Sequence, residues 1–191
     1  MGTKRKLDTQ AILNAAAELA EEKRLENVTL LQVADKLGVK APSLYNHLNG
    51  LRDLSVGVAR MAAARLEEAI RDAAVGRSKG DALTAMSMAY RKYAKENPEL
   101  YKAILRFRDY RDDAVLETGR TAYRILYQVI ESYQLGDEET HHAVRAFHSA
   151  LHGFISLEAA GFFQNPKISA DESYQWLVAM LIASLDAKGS D

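Results

Sequence analysis

Residues 28–48, VTLLQVADKLGVKAPSLYNHL, spell two short helices joined by a tight turn. Thr29 is placed to cap the first helix and Gln32, three residues on, to return the bond, the reciprocal pattern that opens a helix. Val28 and Val33 flank that cap where apolar side chains close over it. Leu30, Val33, Ala34 and Leu37 then recur at helical spacing, and Gly38 follows where a left-handed residue would stop the helix. Val39 and Lys40 lead into a second helix with Pro42 in its first turn, where a missing N–H costs little. Leu44, Tyr45 and Leu48 recur along it, leaving Lys40, Ala41, Ser43, Asn46 and His47 on other faces. Helices this short bury too little to stand alone. They need a third beneath them, and the stretch from Thr9 to about Arg24 supplies one. The arrangement is a helix-turn-helix, whose second helix enters the DNA major groove.

Thr29, the Val33-Ala34 pair, Leu37-Gly38-Val39, Leu44-Tyr45 and His47-Leu48 also resemble the DNA-binding domain of the TetR/AcrR family of bacterial transcriptional regulators. A second likeness lies in Ala150-Leu151-His152-Gly153-Phe154 and Ser156 to Gly161, which is similar to the C-terminal domain of a TetR subgroup with a His-Gly pair inside a long helix. Two departures stand out. Many family members carry a lysine just after the turn that follows the recognition helix, where this chain has Gly50 and Leu51, with Arg52 next. Some place a basic residue in the first turn of the scaffold helix, where this chain has Leu31. The resemblance implies an all-α fold of about nine helices. It places a three-helix DNA-binding head at residues 1–50 and a helical regulatory and dimerisation domain at 51–191. It implies double-stranded operator DNA and a second copy of the chain as partners, a repressor's role, and His47 against the DNA backbone.

Near the N-terminus of the second helix, Lys40 and Ser43 are the expected base-edge or phosphate contacts, and Ala41 offers a methyl to thymine. Tyr45 and His47 are expected to hold the backbone, and Thr29 and Asn46 complete the set. Lys4-Arg5-Lys6 reads either as a solvated tail or, standing directly before the head, as a phosphate or minor-groove arm in which Lys4 and Arg5 take part.

Composition sets the outer limits. The 191 residues can bury a sizeable core, and 48% hydrophobic with 27% charged residues is ordinary for a globular protein. Net charge is −1, but residues 1–60 hold nine Lys/Arg against seven Asp/Glu, leaving −3 on the remainder. A mildly basic head on an acidic body suits a small DNA-contact patch. With no cysteine there is no disulfide, thiol nucleophile or thiolate metal site. The basic N-terminus has no apolar run after it, and the longest apolar stretch, Trp176 to Leu185, is too short to span a bilayer. The expected location is the cytoplasm.

Beyond the head, Leu51 to about Val75 reads as one helix, Asp81 to Lys95 as the next, and Asn97-Pro98 as a cap-plus-proline start for a short helix to about Phe107. Asp109 to Asp113 is a charged turn before a helix from Ala114 to Tyr133; Gly136-Asp137 opens a long helix to about Phe162, and Ser169 with Glu172 caps the last. That last helix carries two apolar stripes, Tyr174, Leu177, Val178, Leu181 and Leu185 on one face and Trp176, Met180 and Ala183 on another. A helix apolar on two sides is buried on two sides, in its own core or against a symmetry mate. Gly153, Ser156 and Ala160 on the preceding helix allow close approach, so a four-helix interface is expected.

His141, His148 and His152 fall nearly in line, and Glu138 with His141 has the Glu-x-x-His spacing of di-iron bundles. No second such pair exists, so no metal or other cofactor is expected. Apolar walls with a few polar groups line most small-molecule pockets. Phe107, Tyr123, Tyr127, His148 and His152 are the candidates to bound one, its effector unidentified but aromatic or lipophilic. No nucleophile–base pair, metal set or phosphate-cradling glycine loop speaks for an enzyme. A DNA-binding regulator without a small-molecule effector, and an all-helical enzyme, are the alternatives.

Overall fold

The computed structural model describes residues 7–106 and 123–189, and no strand occurs among them. The helices are α1 (Thr9–Lys23), α2 (Leu30–Leu37), α3 (Leu51–Ala74), α4 (Lys79–Glu96), α5 (Pro98–Leu105), α6 (residues 123–131), α7 (Asp137–Ala159) and α8 (Ala170–Lys188). Two 3₁₀ turns, Leu25–Asn27 and Ala41–Asn46, stand on either side of α2. The fold is all-α. Lys4, Arg5, Phe107, the charged turn and the start of the helix expected at Ala114 lie outside the described residues.

Two compact units are present. The first takes residues 7–65 and 97–106, the second Leu66–Glu96 and residues 123–189, so α3 has residues in both.

In the first unit the caps form as the sequence indicates. Thr29 Oγ1 accepts from Gln32 N–H at 3.3 Å, while Gln32 Oε1 accepts from Thr29 N–H at 3.0 Å. Gly38 ends α2 at φ 67°, and the following N–H, of Val39, returns to Ala34 O at 3.0 Å. Val28 and Val33 are both buried. They join Ile12, Ala16, Leu44, Leu54 and Val58 in one core, where each enclosed aliphatic side chain contributes about 1.5–3 kcal/mol relative to exposure. Gly57 of α3 leaves room for the Leu13 side chain of α1, since a Cβ there would meet Leu13 Cδ2 at 2.6 Å and turn it aside.

That core also contains Leu100 and Ala103 of α5. The cap expected from Asn97 is not made by its side chain. Glu21 of α1 does that work: its carboxylate accepts from Glu99 N–H at 3.2 Å and Leu100 N–H at 2.9 Å. Arg106 beyond the helix donates to Glu26 at 2.9 Å.

In the second unit α4, α7 and α8 pack on one another. Tyr174, Val144, Val178 and Leu83 are fully enclosed, and Tyr174 Oη donates to Ser87 O at 2.8 Å. Arg91, nearly buried, joins the three helices. Its guanidinium meets Glu158 at 2.8 and 2.5 Å and Asp171 at 2.7 Å, lying over the Tyr174 ring. Helix α7 stops at Ala159, short of Phe162, and Ser169 Oγ caps α8 by accepting from Asp171 and Glu172 N–H.

Candidate nucleic-acid interface

The recognition segment is wound more tightly than an α-helix. Residues Ala41–Asn46 form a 3₁₀ helix in which Ser43 N–H returns to Lys40 O and His47 N–H to Leu44 O, each at 2.9 Å. Pro42 in its first turn has no N–H to place. Leu44 is fully buried and pins the segment to the core, with Leu48 buried beyond it. The remaining side chains are therefore turned outward or half-covered. Lys40, Tyr45 and Asn46 are exposed; Ala41, Ser43 and His47 are intermediate. Tyr45 is 61% exposed, a large share for an aromatic side chain beside a packed core. Thr29 is exposed as well, although its Oγ1 is committed as an acceptor to the cap. Seven of the expected contacts thus come from one capped helix start and one short turn.

At the end of that turn Asp53, in the first turn of α3, accepts from Asn49 N–H at 2.9 Å and fixes the entry to the next helix. Lys36 points the other way, pairing with Glu18 at 3.0 Å and Glu22 at 3.4 Å. Both carboxylates beside it hold its ammonium above the ordinary range. Charge on α2 is therefore spent on α1. An open groove of about 400 Å³ runs between α1 and the end of α2, floored by Leu7, Ala11, Ala15, Leu37 and Val39.

The candidate effector residues of the second unit fall into two groups. Tyr123 Oη and His141 Nδ1 are 2.6 Å apart, and Tyr127 Oη donates to Asp137 at 2.6 Å, with the three rings packed together. The Asp137 bond raises the Tyr127 phenol to about 12. His148 and His152 form the other group, their ring centroids 6.4 Å apart, with Tyr90 edge-on to His148. Packing around the rings lowers both imidazoles, and the charge of His152 lowers His148 further. His141, a neighbour the sequence named only in a histidine line, belongs with the tyrosines. Among the described residues no group of three or more His, Asp or Glu could hold a metal ion.

The two stripes of α8 have opposite fates. Tyr174, Val178 and Leu185 are buried, while Trp176 is 68% and Met180 46% exposed, with Ala183 also in water. On α7, Gly153 and Ser156 are half-covered, and Ala160, just past its end, is exposed. Phe162, in the connector after α7, is 72% exposed and was not singled out from the sequence; a loop position carries no periodicity to mark it.

Two family models match the chain. The family model described as "Bacterial regulatory proteins, tetR family" matches residues 12–50, and "Tetracyclin repressor-like, C-terminal domain" matches residues 83–181. The chain is 32% identical to the uncharacterized HTH-type transcriptional regulator Rv0681 of Mycobacterium tuberculosis, over 96% of this chain and 84% of that one. Its fold is similar to that of a protein of unknown function from Rhodococcus sp. RHA1, at TM-score 0.83 and 18% identity over 97% of each chain. It is also similar to the TetR family transcriptional regulator PfmR of Thermus thermophilus, at TM-score 0.66 and 22% identity over 90% of this chain and 97% of that one.

Proposed function

This chain belongs to the TetR family and is a DNA-binding transcriptional regulator, and we propose that it acts as a homodimeric repressor released from its operator by a small molecule. The observation that carries the proposal is α8, a helix with one apolar face buried and a second, Trp176 and Met180, left in water. Exposed tryptophan and methionine on a regular helix face mark a surface meant for burial. Gly153, Ser156, Ala160 and Ala183 are small enough to let a second copy's helices approach closely. A two-fold dimer then presents two recognition turns at fixed spacing to a pseudo-palindromic operator.

In this reading residues 1–50 are the DNA-binding domain and 51–191 the regulatory and dimerisation domain. Lys40 and Ser43 touch base edges or nearby phosphate, Ala41 a thymine methyl, and Tyr45, Asn46, His47 and Thr29 the backbone. Lys4 and Arg5 act as an arm along the duplex. An aromatic or lipophilic effector is bounded by Phe107, Tyr123, Tyr127, His148 and His152, in the cytoplasm. Two findings support these assignments: the recognition turn holds its polar side chains outward, and tyrosines and imidazoles gather on α6 and α7. No helix among the described residues is long and apolar enough to cross a membrane.

The test pairs sedimentation with a gel shift on duplex DNA from beside the gene. A dimer that binds this DNA, and a Trp176→Glu variant that loses association and binding together, support the proposal. A wild-type monomer at micromolar concentration sinks it.

A further inference from the structure

Four large apolar side chains in the described part of the first unit are exposed: Leu31, Tyr45, Leu51 and Leu105. Single exposed apolar residues are ordinary and need no explanation. Three of these four belong to the helix-turn-helix or its exit: Leu31 is in the first turn of α2, Tyr45 on the recognition turn and Leu51 at the first residue of α3. Each has a local reason to be out. Val33 and Ala34 define the buried side of α2, and Leu31 follows Leu30 by one position, about 100° around the helix. It is 62% exposed. Leu51 lies on the same stripe as Leu54, Val58 and Ala62, all three fully buried, and overruns the core by one step at 45% exposed.

A helix-turn-helix sets its first helix across the DNA backbone while the second enters the groove. The first turn of α2 therefore faces a backbone strand, and the first turn of α3 follows directly from the recognition segment. We propose that Leu31 and Leu51 are DNA-contact residues whose methyl groups pack on the deoxyribose C–H surface either side of the recognition turn. At these two points binding comes from apolar contact, not from neutralised phosphate. Lys36, the only lysine of α2, does not substitute for them, since it is paired with Glu18 and Glu22. The inference rests on the placement of the recognition turn in the groove and adds the contacts that flank it. Its consequence is a shallow salt dependence: each phosphate not neutralised removes roughly 0.9 from the slope of log K against log salt.

The experiment uses the full chain and a duplex that it enriches from a randomised pool, with equilibrium binding measured across a salt series. Leu31→Ala and Leu51→Ala should each weaken binding roughly three- to tenfold while the slope stays that of wild type. Leu31→Lys should steepen the slope by about one for each head bound, because its ammonium reaches the phosphates beside the sugar. Both side chains are exposed, so unchanged melting temperatures should confirm the variants' folding. Alanine variants that bind like wild type, or a lysine variant that leaves the slope unmoved, overturn the proposal and leave the recognition turn untouched. A wild type that enriches no duplex overturns DNA binding itself.

Discussion

Glu21 caps a helix that lies 78 residues away in the chain, its two carboxylate oxygens taking the free N–H groups of Glu99 and Leu100. Glu21→Ala should therefore cost about 1–2 kcal/mol, as loss of a capping side chain does. Urea unfolding of the full chain measures it, and an unchanged midpoint would dismiss the contact as incidental. This residue was not legible in the sequence. Thr29 and Gln32 announce themselves because a capping box is local, whereas Glu21 sits on an exposed-looking charged run, EEK, and its partner is fixed only by tertiary folding. Asn97 before Pro98 looked like the cap for the same reason that local rules favour near neighbours. On the recognition turn, Lys40→Ala and Tyr45→Ala should each weaken operator binding, by roughly 1–3 kcal/mol where a base contact is lost. Variants that bind as tightly as wild type at matched salt would remove those roles.

Among the elements, α2 and its caps were the most predictable, since spacing, cap and stop all agree. The recognition segment differs from the reading in its winding. Pro42 in the first turn and a single anchor at Leu44 favour the tighter i→i+3 pattern that the segment adopts. Helix α8 was legible as doubly apolar, but only the structure tells which stripe is sunk. Arg91, invisible as a periodic signal, ties α4 to α7 and α8. Arg91→Ala should destabilise by about 3 kcal/mol, because the carboxylate of Glu158 then stays half-buried with only Lys95, at 3.4 Å, beside it, and Arg91→Met, which restores bulk but not charge, should cost nearly as much. Thermal melting compares the two, and a methionine variant as stable as wild type would count against the lost ion pair as the cause. His148 and His152 on α7 give a pH signature. Their folded imidazoles bind protons less readily than the ordinary value of 6.5, so the unfolded chain takes up more protons as pH falls through that value. Stability should then be full above about pH 7 and decline below 6.5. The lowered carboxyls of Glu158 and Asp171 add a second decline at lower pH, as acid titrates them through their folded values. Replacing both histidines by glutamine should flatten the first decline only; an identical melting profile from pH 8 to 5 would refute the assignment.

For the whole molecule, the two matched family models cover a head at residues 12–50 and a body at residues 83–181, and the sequence reading divides the chain after residue 50. What it missed is that α5, read as part of the body, lends Leu100 and Ala103 to the core of the first unit. Periodicity identifies that a helix has an apolar face but not which neighbour covers it. If an effector releases the repressor, linkage requires the converse: operator DNA must weaken effector binding by the same factor, typically 5- to 150-fold. Calorimetry with a hit from a compound screen, with and without the enriched duplex, measures it. Equal affinities would mean that the bound compound is not the regulator.

The contribution of α5 bears on how the protein comes to be made. The ribosome delivers α1, α2 and the recognition turn early, yet the partner for Glu21 and the last members of that core are synthesised only after α3 and α4. Until Pro98–Leu105 clears the exit tunnel, the nascent head lacks the covering of Leu100 and Ala103 and cannot reach its full stability. The same order governs engineering: a chimera that grafts only residues 1–65 onto another body leaves behind a piece of the donor's own interior. A graft that carries α5 along, or that supplies an equivalent helix from the recipient, keeps it closed.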